Sequence, residues 1–253
     1  MKWIGSAVTA FLMYSRVPAP AAAWDRENTR FTLGFFPAVG ALLGVLFAAA
    51  FFLLEKAGAP ALLSGALLTA LPVLYTGGIH MDGFLDTSDA LGSNGSREDK
   101  LRILKDPHTG AFAVTACALR FLLTFAAYAS FQDERTVLLV SGFFVLSRTL
   151  SAAALLTIPN ARREGLAKFF TDAADARVTA GLLIFWGALS AVLLIVISPL
   201  KGAALLLTAA ASFVSLRVRS VRNFGGLTGD VAGWFLERTE CAGAVVAAFL
   251  AFL

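Results

Sequence analysis

Gly34-Phe35-Phe36-Pro37-Ala38-Val39-Gly40-Ala41-Leu42-Leu43-Gly44-Val45-Leu46-Phe47-Ala48-Ala49-Ala50-Phe51-Phe52-Leu53-Leu54 is a run without a single charge. As a helix it rises roughly 30 Å, the thickness of a bilayer's hydrocarbon core. Reading outward from it, comparable apolar runs fall at 61–79, 111–131, 137–158, 178–198, 203–216 and 241–253. The 203–216 and 241–253 runs are short for a full crossing. Composition agrees with the pattern: 58% of residues are hydrophobic and only 15% charged, with a mean hydropathy of +0.75. Soluble domains carry about one quarter charged residues. The expected fold is therefore all-α, a polytopic transmembrane bundle of about seven spans. Neither an internal repeat nor a separate soluble domain is visible, so residues 1–253 read as one integral membrane domain.

The N-terminus has two readings. Lys2, the apolar stretch Trp3 to Met13 and then Ala21-Ala22-Ala23 resemble a cleaved signal peptide. A single Lys makes a weak positive region, however, and Arg16, Pro18 and Pro20 intervene before the small residues. An interfacial or re-entrant first helix is expected instead.

Charge sets the orientation. Segments 15–33, 80–110, 159–177 and 217–240 hold 15 Lys or Arg, and the tight turns 55–60, 132–136 and 199–202 hold three, Lys56, Arg135 and Lys201. By the positive-inside rule the long segments face the cytoplasm, so loops 80–110, 159–177 and 217–240 would form one active-site face of a multi-pass inner-membrane protein. The net charge of +4 is thus a topology signal and not a nucleic-acid footprint. Cys117 and Cys241 lie in apolar runs and read as packing residues.

The richest segment follows the second run: Thr76-Gly77-Gly78-Ile79-His80-Met81-Asp82-Gly83-Phe84-Leu85-Asp86-Thr87-Ser88-Asp89. On a helix, Asp86 and Asp89 lie about 40° ahead of and 20° behind Asp82, so three carboxylates share one face. Charges that close repel unless a cation compensates. Oxygen-only donors without Cys suit a hard ion such as Mg²⁺; the plainer alternative is a solvated polar face at the membrane edge. His80 reads either as a structural residue or as a general base beside that face. Downstream, Arg97 to Lys105 reads as a short amphipathic helix broken by Asp106-Pro107-His108-Thr109-Gly110. Asp106 is a candidate fourth carboxylate, and Arg102 and Lys105 could meet phosphate oxygens or lipid headgroups.

A second constellation is Gly225-Gly226-Leu227-Thr228-Gly229-Asp230, followed by Glu237 and Glu240. Glycines before an acid let backbone N–H groups approach a ligand, and a helix from Asp230 would place both glutamates on its side.

Together these stretches resemble the cobalamin synthase family, adenosylcobinamide-GDP ribazoletransferases. The likeness rests on Gly-Gly-x-His-x-Asp-Gly-x-x-Asp-Thr-x-Asp at 77–89, Lys105-Asp106, Gly-Gly-x-Thr-Gly-Asp at 225–230 and the Glu237/Glu240 pair. Phe11-Leu12 through Arg16-Val17-Pro18, and Asn160-Ala161-Arg162-Arg163-Glu164-Gly165-Leu166, add to it. Pro107-His108 stand where the family carries Ser-Arg, so His108 or Arg102 is the expected substitute. Ala90 and Trp234 depart from the pattern as well. The resemblance implies a Mg²⁺-dependent phosphotransferase joining adenosylcobinamide-GDP to α-ribazole or its 5′-phosphate, with release of GMP. It implies His80, Asp82 and Asp86 in catalysis and Asp82, Asp86, Asp89 and Asp106 on the metal. Lys105, Gly225, Gly226, Thr228, Asp230 and Glu237 would contact substrate, and Arg102 and Arg148 join them on their charge and position in the sequence. The partners are then the two substrates and membrane lipid, without nucleic acid; a homo-oligomer or an assembly with other late cobalamin enzymes is compatible.

Two rivals fit less well. A CDP-alcohol phosphotransferase spaces its acids as D-x2-D-G-x2-A-R, which this chain does not match. A secondary transporter shows inverted repeats and mid-membrane breaks. Finally, Arg120 and Arg148 fall near mid-span, where an arginine costs about 2.5–3.5 kcal/mol on insertion scales. No acid lies inside any predicted span, so either the span boundaries are misplaced, or backbone carbonyls and water satisfy the arginines, or one or both meet the anionic diphosphate or the acid cluster in a polar cavity. Arg148, flanked by Ser147 and Thr149, is the stronger candidate for the last.

Overall fold

The structure, a computed structural model, describes residues 2–20 and 25–251. Ala21-Ala22-Ala23, on which the cleavage reading turns, lies outside the described residues. Twelve helices follow in order: α1 (Lys2–Tyr14), α2 (Arg26–Thr29), α3 (Thr32–Lys56), α4 (Ala61–Thr76), α5 (Ile79–Gly92), α6 (Arg97–Ile103), α7 (Ala111–Ala129), α8 (Glu134–Thr157), α9 (Leu166–Ala173), α10 (Ala176–Ile197), α11 (Pro199–Phe224) and α12 (Gly229–Phe249). The all-α, multi-pass expectation holds. Among the described residues five helices, α3, α7, α8, α10 and α11, are long and apolar enough to cross a membrane, and α4 with α5 makes a sixth if the bent pair is one span. Leu53, Leu74, Leu122, Ile184, Val196 and Leu207 are exposed on these helices. That much outward apolar surface requires lipid around it.

Side-chain caps fix where helices start. Asp133, Asp175 and Thr228 accept from the backbone N–H three residues on, opening α8, α10 and α12. Ser96 and Asp99 form a capping box on α6. Two sites differ from the expected spans. The second run stops at Thr76, where Gly77 and Gly78 take left-handed conformations, φ 64° and 80°, and the chain turns by 96° into α5. A residue with a Cβ is strained there, so the glycine pair lets the acid-bearing helix leave the line of the span. At the other end, the final helix begins at Gly229 and not at 241.

That early start makes α12 the axis of the molecule. It packs against α5, α7, α8 and α11, and nearly every residue from Val231 to Cys241 is buried. Around it, α3 lies along α8, α10 spans α8 and α11, and α4 covers α7. Glu237 and Glu240 are thereby carried into the bundle beside Arg120 and Arg148, because the last helix starts earlier than the predicted span, which held no acid.

Candidate active site

Residues 82–89 are helical, so Asp82, Asp86 and Asp89 do share one side of α5. The start of α12 then presses onto that helix. A Cβ on Gly83 would stand 2.7 Å from the Asp230 carbonyl oxygen, and one on Gly233 would stand 3.1 Å from that of His80. Only glycine permits so close a crossing at Gly83. The crossing delivers a fourth carboxylate, Asp230, from another helix. Its effect is electrostatic. The Asp86 carboxyl is pushed up to about 6, first by burial and then by the charges of Asp82, Asp230 and Asp89, with Arg162 opposing. Asp230 is raised as well, by burial and then by Asp82, against Arg162 and a Thr228 hydrogen bond.

The four acids are not equivalent. Asp82 is exposed, while Asp86, Asp89 and Asp230 are half-buried. Asp89 accepts hydrogen bonds from the N–H groups of Gly110 at 2.5 Å and Ala113 at 2.9 Å, so it caps the start of α7. Asp106 does not join them: its Oδ1 accepts from the backbone N–H of His108 at 2.9 Å and lies 2.8 Å from the His108 ring. Among the described residues no three His, Cys, Asp or Glu are close enough together to hold a metal ion. As donors, Asp82, Asp86 and Asp230 fit a hard divalent cation, which would relieve the crowding at Asp86. Ligating one ion with all three requires their side chains to swing together.

A cavity of about 390 Å³ opens beside the acids. Its polar wall includes His80, Asp82, Asn160, Arg162, Thr228 and Asp230, with Ser151, Glu164 and Lys168 also lining it, and its apolar wall includes Met13, Tyr14, Phe36, Leu155 and Phe170. His80 is 5% exposed and stacks on Tyr14, ring centroids 6.0 Å apart. Its Nε2 has no hydrogen-bond partner among the described residues. Burial, then the Arg148 charge, lowers its pKa and keeps the imidazole neutral. The glycine–acid loop reaches the cavity by pairing with the mid-chain loop: Leu227 N–H donates to Pro159 O at 2.8 Å, and Ala161 N–H donates to Leu227 O at 2.9 Å. Gly226 lies in that pairing, where a Cβ would meet the Pro159 oxygen at 2.3 Å. Gly225 ends α11 in a left-handed conformation. Thr228 caps α12 through Val231 N–H at 3.2 Å.

Residues named from sequence divide accordingly. His80, Asp82, Asp86, Asp89, Thr228 and Asp230 are brought together. Arg102 is exposed and pairs with Asp99 at 2.8 Å. Lys105 shares a shallow depression with Arg162 and Arg163. Arg148 and Glu237 are buried in the bundle away from the cavity lining, each in an ion pair: Arg148 with Glu240 at 2.6 Å, Glu237 with Arg120 at 2.5 Å. Ser147 donates to the same Glu240 oxygen at 2.7 Å. Neither arginine is left to meet a diphosphate, because α12 supplies the acids that the sequence placed in a loop. Arg162 was passed over. Its Nη1 lies 3.4 Å from Asp230 and its Nη2 donates to Leu101 O at 3.2 Å. Only the likeness of its loop to the family pointed to it, since nothing local marks a basic residue as one that reaches an acid 68 positions away.

Comparison with known proteins gives a consistent answer. A family model described as cobalamin-5-phosphate synthase matches residues 6–248. A Lachnoclostridium phytofermentans protein described as adenosylcobinamide-GDP ribazoletransferase is 38% identical over 240 residues, 95% of this chain and 92% of its own. A Pseudomonas fluorescens protein of the same description is 38% identical over 233 residues, 92% of this chain and 93% of its own. One from Clostridium perfringens is 32% identical over 237 residues. No solved structure matches.

Proposed function

Because this chain belongs to the cobalamin-5-phosphate synthase family, we propose that it joins adenosylcobinamide-GDP to α-ribazole or its 5′-phosphate at the face where α5 meets α12. The step exchanges a phosphoanhydride bond for a phosphodiester bond. A ribose hydroxyl oxygen of the ribazole, other than the 5′ one that the 5′-phosphate acceptor already carries as an ester, forms a bond to the cobinamide-linked phosphorus. The bond from that phosphorus to the bridging diphosphate oxygen breaks, and GMP leaves with that oxygen. The hydroxyl proton passes to a base, and adenosylcobalamin or its 5′-phosphate remains.

The observation that carries this reading is the meeting of carboxylates from two helices beside a cavity with a buried, unpartnered imidazole. His80 Nε2 is the candidate base, held neutral by burial and the Arg148 charge and flanked by the rings of Tyr14 and Phe36. Arg162 offers a planar guanidinium to phosphate oxygens at the cavity wall. Asp82, Asp86 and Asp230 would hold Mg²⁺, with Asp89 fixing the far end of α5 to α7. When bound, such an ion neutralises charge developing on the phosphoryl oxygens. The basic long segments support a cytoplasmic site at the inner membrane. The acids lie on one face with a family match over the whole domain, which disfavours both the CDP-alcohol and the transporter readings.

Mass spectrometry of products tests the reaction. Purified protein in lipid nanodiscs, given adenosylcobinamide-GDP, α-ribazole and Mg²⁺, is expected to yield adenosylcobalamin and GMP in equal amounts; with α-ribazole 5′-phosphate the product gains a phosphate. GMP formed equally well without any ribazole would mark a hydrolase and overturn the reading.

A further inference from the structure

The cavity beside the acids is two-faced, and its two faces ask for different parts of a ligand. One end is aromatic: Tyr14 and Phe36 lie with centroids 4.2 Å apart, and Phe170 stands 6.5 Å from Tyr14. Met13, an adaptable thioether, completes this end. The other end carries Asp82, Asp230 and Arg162. Between them sits His80, its ring against both Tyr14 and Phe36 and its Nε2 without a partner. A buried polar atom left unpaired costs about 1–3 kcal/mol, so a ligand atom that bonds it is favoured. At about 390 Å³ the space is near the lower limit of small-molecule sites, roughly 300–1,000 Å³. It admits a nucleoside; a corrin carrying a nucleotide is far too large for it.

Resting on the ribazole-transfer reading above, we propose that this cavity is the acceptor-base subsite: the methylated benzimidazole packs against the ring cluster of Tyr14, Phe36 and Phe170, and the donor's corrin stays outside. The apolar, two-ring base fills the aromatic end, where offset stacking is favourable. The ribose hydroxyls then point back past His80 toward the acids, where the phosphorus is attacked. A base lacking the methyls leaves that end underfilled and binds more weakly. Choice among lower bases is therefore made by helix α1, the start of α3 and α9, elements remote in sequence from the acid motifs.

Two filling variants test it, Phe170→Trp and Met13→Phe, each checked for an unfolding temperature within a few degrees of wild type. Equilibrium binding of radiolabelled α-ribazole to protein in nanodiscs is measured without donor or Mg²⁺. The wild-type protein is expected to bind α-ribazole roughly tenfold more tightly than the unmethylated benzimidazole riboside, from the two methyls. Each filler should weaken α-ribazole binding at least tenfold, and raise its KM likewise, while the KM for adenosylcobinamide-GDP stays within twofold. Unaltered α-ribazole binding in the folded fillers overturns the subsite, as does a parallel rise in both KM values or no α-ribazole binding by wild type at millimolar concentration. GMP release with unaltered ribazole binding would remove the subsite and leave the reaction; weakened binding without any GMP release would do the reverse.

Discussion

Asp89 shows how one carboxylate serves two ends. Its position on the α5 face was legible from spacing alone, since residues seven apart on a helix lie almost in line. Its bonds to Gly110 and Ala113 were not, because the partners belong to another helix more than 20 positions on. Asp89→Asn keeps one good acceptor but turns an amide N–H₂ toward a backbone donor. It is expected to lower stability by about 1–3 kcal/mol, read as a fall in unfolding temperature, whereas Asp82→Asn, exposed and without such bonds, should leave it unchanged. Equal stability of the two variants would remove the capping role. Asp86 makes a pH prediction whose sign follows from its raised pKa. Without a cation, the folded state holds the Asp86 proton more tightly than the unfolded chain, from its ordinary 3.8 up to about 6. That contribution to stability is complete below about 3.8 and is lost as pH rises through about 6. A bound divalent ion competes with the proton, so the stabilisation by Mg²⁺ should grow between pH 5 and pH 7. A thermal-shift increment independent of pH over that window would count against Asp86 as a ligand.

Helix α12 is where sequence reading failed most, and the reason is physical. Glu237, Arg238 and Glu240 interrupt an apolar run, and a charge in a hydropathy window reads as a loop unless its partner is known. The partners, Arg120 and Arg148, lie on α7 and α8, so each buried charge looked anomalous alone and none is anomalous in the bundle. These pairs seat α12, and through Gly83 and Gly233 the same helix sets Asp230 against α5. Removing one partner leaves a buried charge uncompensated, typically at a cost of about 3–5 kcal/mol. Arg148→Met is therefore expected to destabilise strongly, and Glu240→Leu added to it should recover most of the loss. A double variant no more stable than Arg148→Met would show that the pair does not couple α8 to α12. By contrast, helices α3, α7, α8 and α10 were legible within a few residues, because each is long and apolar enough to be read from hydropathy alone. The bend at Gly77-Gly78 went unread, although two adjacent glycines before a polar helix were its signal.

At the scale of the whole molecule, the alternation of basic and sparse loops predicts a single orientation. In a Cys117→Ala/Cys241→Ala background, Asn94→Cys should be labelled by an impermeant reagent only from the cytoplasmic side, and Glu134→Cys only from the other. Reversed labelling would put the acid face in the wrong compartment for its nucleotide substrate. The membrane class and the acid motif were both legible because each is local in sequence. The cavity was not, since its walls come from α1, α3, α5, α8, α9 and α12 and only packing unites them. The claim that joins these scales is that carboxylates on α5 and α12 act with Mg²⁺ on the diphosphate of the donor. It is tested most directly by the initial rate of GMP release from adenosylcobinamide-GDP and α-ribazole, measured side by side in the wild-type protein with Mg²⁺, the wild-type protein with EDTA, and Asp82→Asn with Mg²⁺. The account predicts GMP release in the first and a rate at least 100-fold lower in the other two; equal rates in all three would contradict it.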